Sequence, residues 1–167
     1  MARRAFLPWG DPRLRKIAAP VDAVNDAVCA LWSDMIDTMY AMPGVGLAAP
    51  QIGEMLRLAV VDCSSNKDQP LRMANPEILH TSGKMSEYDE ASPNLPGVSA
   101  KIKRPRALTV AFLNAEGARV EQDFVGLWAT SVQHQIDHLN GRMFFDHLSA
   151  VKRRMLLAKA AKLARRG

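Results

Sequence analysis

The stretch SVQHQIDHLNG, Ser131 to Gly141, places His134 and His138 four residues apart, with Gln135 directly after the first. On a helix that spacing puts both imidazoles on one face, with Cβ atoms roughly 6 Å apart. Two rings so placed can chelate one metal ion. With Glu at 135 the run would read H-E-x-x-H, in which two histidines hold zinc and the glutamate moves a proton. Here an amide stands in that place. It can hydrogen-bond, but it has no basicity near neutral pH. General acid–base help is worth on the order of 10²–10⁴ in rate, so the run keeps a ligand pair and lacks its proton carrier. A catalytic metal site also wants a third protein ligand and one open position for water. Asp137 projects to another side of the helix, where it can hold a neighbouring group. An i,i+4 pair on a polar face is also compatible with coincidence.

The histidines need a helix, and the pattern predicts one over Gly126 to Leu139. Upstream, Val24, Val28, Leu31, Met35 and Met39 recur at three- and four-residue steps, with Asp22 or Asn25 as a cap and Pro43-Gly44 as the stop. GVGLAAPQIG, Gly44 to Gly53, is rich in small residues, so its backbone can approach something closely or pack as a bend under a sheet. LRLAVVD, Leu56 to Asp62, reads as a strand, and ANPEIL, Ala74 to Leu79, as a second with Pro76 at an edge or bulge. Residues 1–20 read as extended, and residues 80–97 as polar, then turn-rich. Ala107–Asn114 and Ala118–Phe124 form an expected hairpin. A basic helix closes the chain at about 149–166. The expected fold is therefore α+β: small antiparallel sheets packed around the central helix with the histidine pair, and helices at each end.

A chain of 167 residues fits one domain spanning 1–167. Hydrophobic content of 48% with 23% charged residues argues against disorder. The net charge of +5 suits an anionic partner or simply a well-solvated surface. The basic start meets proline and charge before any apolar run develops, so no signal peptide is expected, and no stretch is long enough for a membrane span. Cys29 and Cys63 make no disulfide framework, which favours a reduced, cytoplasmic setting. Both read as buried packing, and His80 and His147 as ordinary histidines.

Five segments together carry a resemblance: GDPRLRKIAAPV near the start, GVGLAAPQIG, NPEIL at Asn75–Leu79, EASPNLPG at Glu90–Gly97, and QHQIDHLNG at Gln133–Gly141. In order and spacing the chain resembles the peptide deformylase family over nearly its whole length. Those metallohydrolases remove the formyl group from nascent bacterial proteins. The signature G-x-G-x-A-A-x-Q is intact as Gly44, Gly46, Ala48, Ala49 and Gln51. The resemblance implies that Gln51 donates its amide to the formyl oxygen or to metal-bound water, and that Val45 offers its backbone to the substrate as an added strand.

The other two signatures depart. E-G-C-L-S reads Glu90, Ala91, Ser92, Pro93, Asn94. Ser92 replaces the metal-binding Cys, a soft anionic ligand for Fe²⁺, Zn²⁺ or Ni²⁺; a neutral hydroxyl ligates weakly at best. These residues are also turn formers. Pro93 replaces the residue whose backbone N–H holds the oxyanion, and proline has no N–H. H-E-x-D-H reads His134, Gln135, Ile136, Asp137, His138. Positions lining the family's methionine pocket are Tyr88, Leu127, Thr130 and Ser131, bulkier or more polar than the aliphatic residues common there. Where the family often has Arg, this chain has Ser99; Lys101, Lys103 or Arg104 could compensate.

The resemblance thus implies a deformylase-like chain with impaired or absent activity, its metal weakly held or missing. The alternatives are a weakly active or substrate-shifted metallohydrolase, in which Ser92 could also serve as a nucleophile, and a binding or regulatory protein. Candidate partners are a nascent peptide N-terminus and the ribosome, through seven cations in KRRMLLAKAAKLARRG. Neither membrane nor DNA is expected.

Overall fold

Helix α1 (Asp26–Ala41) begins where Asn25 accepts a hydrogen bond from the Val28 backbone N–H at 2.9 Å, satisfying one of the donors that a helix start leaves open. The structure is a computed structural model that describes residues 2–166. Val28, Leu31, Trp32, Met35, Ile36 and Met39 form the buried stripe of α1. They pack on Leu47, Leu58 and Val60 of the main sheet. Cys29 falls just off that stripe and is exposed, which corrects the expectation of burial. Cys63 is half-buried, and burial pushes its thiol up to about 11.

The main sheet has five antiparallel strands in the order β1-β2-β3-β6-β7: β1 (Gly46–Ala48), β2 (Leu58–Val61), β3 (Leu71–Thr81), β6 (Ala107–Leu113) and β7 (Arg119–Val125). The expected hairpin is the β6–β7 pair. Pro76 lies inside β3 where its pairing with β6 shifts register, so the proline occupies a bulge and not an edge. A second, two-stranded sheet pairs β4 (Met85–Ser92) with β5 (Leu95–Pro105). Residues 80–97, read as polar and then turn-rich, thus lie mostly in strands. Strand β4 alternates charge with half-buried polar groups, so it lacks the apolar period of a strand facing a core. Pro96 and Gly97 obscure the start of β5.

Helix α2 (Gly126–Leu139) matches its expected bounds. Ala129, Val132 and Ile136 pack on Val61, Val110, Phe112 and Phe124 of the main sheet. Its other side faces the β4–β5 hairpin and carries the histidines. Helix α3 (Ala150–Arg166) lays Leu156, Leu157 and Ala160 against Leu95, Val98 and Phe144. Residues 2–20 are extended apart from a turn at Trp9-Gly10 and a 3₁₀ turn, Pro12–Arg15, capped by Asp11; Met1 lies outside the described residues. No helix is long and apolar enough to cross a membrane among the described residues.

Candidate functional site

The imidazoles of His134 and His138 converge, with their Nε2 atoms 3.1 Å apart. His134 Nδ1 lies 2.8 Å from Glu90 Oε1. A carboxylate can only accept, so Nδ1 carries the proton, and in the neutral ring Nε2 keeps its lone pair toward His138. Phe144 stacks on the His134 ring at 6.1 Å between centroids. His138 is fully buried, and burial holds its imidazole well below the usual value, so that ring is neutral. Its Nδ1 is buried without a partner.

A chain of buried charges fixes this pair. Arg104 donates from Nε and Nη2 to both oxygens of Glu90, at 2.7 and 2.9 Å, and from Nη1 to Asp137 at 2.9 Å. His147 reaches the same Asp137 oxygen at 2.7 Å. Burial alone would raise Glu90 and Asp137. Hydrogen bonds from His134 and Arg104 to the first, and from His147 with the Arg104 charge to the second, hold both low. Asp137 therefore supports the site from outside, as its position on the helix predicted. His147 belongs to this chain of contacts and is not an ordinary bystander. Arg104 is 4% exposed, so it is committed here and cannot serve as a surface cation near Ser99. It was readable as a buried charge only through β5, where it shares the inward parity of Val98 and Ile102.

Across from the histidines lies the Gly44–Gly53 loop. A Cβ on Gly46 would sit 2.3 Å from Gln135 Nε2 and 2.5 Å from Ser131 Oγ, so only glycine lets β1 approach α2 this closely. Val45 O accepts from the Asp62 N–H at 3.0 Å and the Ser131 hydroxyl at 3.1 Å, which occupies both lone pairs. A peptide added as a strand must therefore find other groups on this edge than the Val45 carbonyl. Among the described residues strand β1 pairs with β2 alone, and its Gly46 lines the cavity.

The cavity between loop, hairpin and α2 holds about 410 Å³. Gly44, Val45, Gly46 and Gln51 form one wall; Glu90, Ala91, Ser92 and Pro93 form the second. Leu127, Thr130, Ser131, His134 and Gln135 line it from α2. Tyr88 is not part of the wall. It is half-buried on β4, and its hydroxyl would meet a Cβ on Gly126 at 3.5 Å. Gln135 is 4% exposed, and its side-chain Oε1 is buried without a hydrogen-bond partner. Thr130 Oγ1 is likewise buried and unpartnered. The Ser92 hydroxyl donates to Asn94 Oδ1 at 3.0 Å, not to a base, so a nucleophilic role lacks its activator. Asn94, a residue not singled out from the sequence, is the hub of this turn.

A divalent ion would have the two Nε2 atoms as donors. Glu90 orients His134 as metal-binding histidines require. The third place is the neutral Ser92 hydroxyl, already bonded to Asn94 and Gln51. Among the described residues no group of three His, Cys, Asp or Glu side chains could hold a metal. The donors thus fit an ion by two imidazoles only, which does not complete a mononuclear site.

Fold and site together define an α+β hydrolase scaffold built on an H-x-x-x-H helix. The family described as Polypeptide deformylase matches residues 4–154. A peptide deformylase of Bartonella henselae is 46% identical over 167 residues, covering 99% of this chain and 95% of the relative. One from Rhodopseudomonas palustris is 41% identical, covering 100% and 98%. The crystal structure of a peptide deformylase from Legionella pneumophila superposes with a TM-score of 0.92 at 43% identity, covering 98% of this chain and 96% of that one. The chain belongs to the peptide deformylase family, whose activity is metal-dependent.

Proposed function

We propose that this chain is a deformylase-like protein that binds peptide N-termini and hydrolyses the formyl group extremely slowly or not at all. The observation that carries this reading is the cavity wall itself. Gln135, Pro93 and Ser92 all face one space, in the places that the signature gives to a base, an oxyanion donor and a thiolate. The Gln135 amide cannot take up a proton from an attacking water. Pro93 offers no N–H to a developing oxyanion, a loss of roughly 10²–10³ in rate by itself. What this chain retains is the means to bind: a cavity, the Gly46 end of β1 that lines it and an oriented imidazole pair. Backbone pairing to a sheet edge needs none of the missing chemistry.

The test is turnover of formyl-Met-Ala-Ser by the purified protein under anaerobic conditions, with excess Fe²⁺ or Ni²⁺ and again with chelator. No turnover above the buffer rate is expected in either case. Metal-dependent turnover would overturn the reading. The combined variant Ser92→Cys, Pro93→Leu, Gln135→Glu should gain metal-dependent activity, whereas Ser92→Cys alone should stay at least about 100-fold lower, because the oxyanion donor is still absent.

A second role is favoured by α3. Its seven cations, Lys152 to Arg166, are all exposed, while its apolar face is seated on β5. Such a helix suits ribosomal RNA near the exit of the nascent chain, through phosphate contacts. Co-sedimentation with ribosomes should weaken steeply with salt and further in Arg154→Glu with Lys162→Glu. Salt-independent association, or none, would sink this role. Deleting the helix is the wrong test, because Ala160 belongs to the core and Leu156 and Leu157 pack against it.

A further inference from the structure

Asn94 lies behind the cavity wall, yet it determines what Gln51 can offer there. Gln51 is 1% exposed and Asn94 2%. Gln51 Oε1 accepts from the Ala48 N–H at 2.9 Å. Its Nε2 donates to Asn94 Oδ1 at 2.8 Å and to Ser92 Oγ at 3.3 Å. A side-chain amide nitrogen carries two hydrogens, so both are engaged within the protein. Asn94 is held in turn. Its Nδ2 donates to the carbonyls of Leu7 at 2.7 Å and Gln51 at 3.0 Å, and its Oδ1 also accepts from the Ser92 hydroxyl at 3.0 Å. One side chain therefore ties the N-terminal segment, the Gly44–Gly53 loop and the β4–β5 turn together. The family signature has a serine at this position, and a single short hydroxyl cannot span all of these partners.

We propose that Asn94 is a positioning residue that holds the Gln51 amide against the hairpin turn, so that a carbonyl oxygen entering the cavity meets no donor from Gln51. This deepens the reading of an impaired deformylase-like chain and rests on it. It adds a block that reversion of Ser92, Pro93 and Gln135 leaves in place: Asn94→Ser in that combined variant should raise kcat at least fivefold with little change in KM. A fully satisfied buried polar network is rigid, so the block is a matter of geometry as well as of hydrogen-bond count.

The test reads the Gln51 side-chain amide by ¹⁵N NMR on the full chain, assigned from its own backbone resonances. In the wild type its protons should exchange with water slowly. Exchange at the rate of a free glutamine side chain overturns the proposal without need of any variant. Asn94→Ser should exchange at least tenfold faster. Asn94→Asp keeps the acceptor for Gln51 and Ser92 but removes both donors to Leu7 and Gln51, so exchange should stay slow. A role in packing alone would make the two variants alike, and equal exchange would refute the proposal. Next, formyl-Met-Ala-Ser and the same peptide with a free amine are added. The Gln51 resonance should stay put in the wild type and shift only with the formylated peptide in Asn94→Ser. A wild-type Gln51 shift of the same size would overturn the assignment. Turnover by the wild type would sink the impaired reading while the exchange data stand; fast wild-type exchange without turnover would sink the Asn94 role alone.

Discussion

Arg104 shows how few side chains hold the histidine pair in place. It is bonded to both oxygens of Glu90 and to Asp137, all three groups well out of water. Removing one member of a buried pair leaves an unpaired charge, at a cost of about 3–5 kcal/mol. Arg104→Ala should therefore lower stability by that amount in denaturant titration. Arg104→Lys should recover little of it, because an ammonium cannot bond two carboxylate oxygens and a second carboxylate in one plane. His134 should also lose its fixed tautomer in either variant, visible as a changed ¹⁵N pattern of the imidazole.

At the scale of elements, the bulge in β3 is pinned from outside. Asn75 has a φ of 51°, a conformation that asparagine tolerates better than most residues. Its side chain accepts from the Val21 N–H at 2.9 Å and donates to the Val21 carbonyl at 2.8 Å. The segment leading into α1 is thereby fastened to the sheet. Asn75→Ala loses both bonds and keeps the left-handed backbone, so we expect a loss of about 2–3 kcal/mol. Asn75→Gly relieves the backbone cost and should recover about 1 kcal/mol of it. A thermal melt of the two variants checks the order. At the C-terminal end of α2, Gly141 has a φ of 76°, and a Cβ there would lie 2.5 Å from the Arg15 carbonyl. The glycine that closes the QHQIDHLNG run is thus a packing requirement between α2 and the N-terminal segment.

For the molecule as a whole, Asp62 is the buried anion that couples α1 to the end of β2. It is fully buried. It accepts from Tyr40 and Ser64 hydroxyls, both at 2.5 Å, and from the Gln69 N–H at 3.2 Å. Burial would raise its carboxyl, but these bonds hold it below its usual value. A depressed carboxyl adds stability above its unfolded pKa, near 3.9, and that stability is lost as the pH falls through the folded value. Asp62→Asn should therefore cost about 2 kcal/mol at pH 7, with the gap to the wild type closing below about pH 4. Tyr40 has the opposite sense. Burial and the Asp62 bond push it up to about 12, so its contribution is present below its usual pKa and lost as the pH rises towards about 12. Urea melts across pH for the wild type, Asp62→Asn and Tyr40→Phe check both signs.

The sequence by itself determined the two long amphipathic patterns, the β6–β7 hairpin and the chemical inventory of the site. A helical or alternating period depends on neighbours along the chain, and residue types need no coordinates. It also exposed the departures at Ser92, Pro93 and Gln135, because each substitution changes what an atom can donate or accept. Only tertiary structure decided that β4 and β5 form a hairpin, since their strand order rests on pairing with each other and their polar faces hide the period. Only it joined Glu90, Arg104, Asp137 and His147 into one chain, and Gln51 to Asn94 across 43 positions. Hydrogen bonds between distant residues leave no periodic trace in a sequence; they exist once sheet register and helix packing bring the partners within 3 Å.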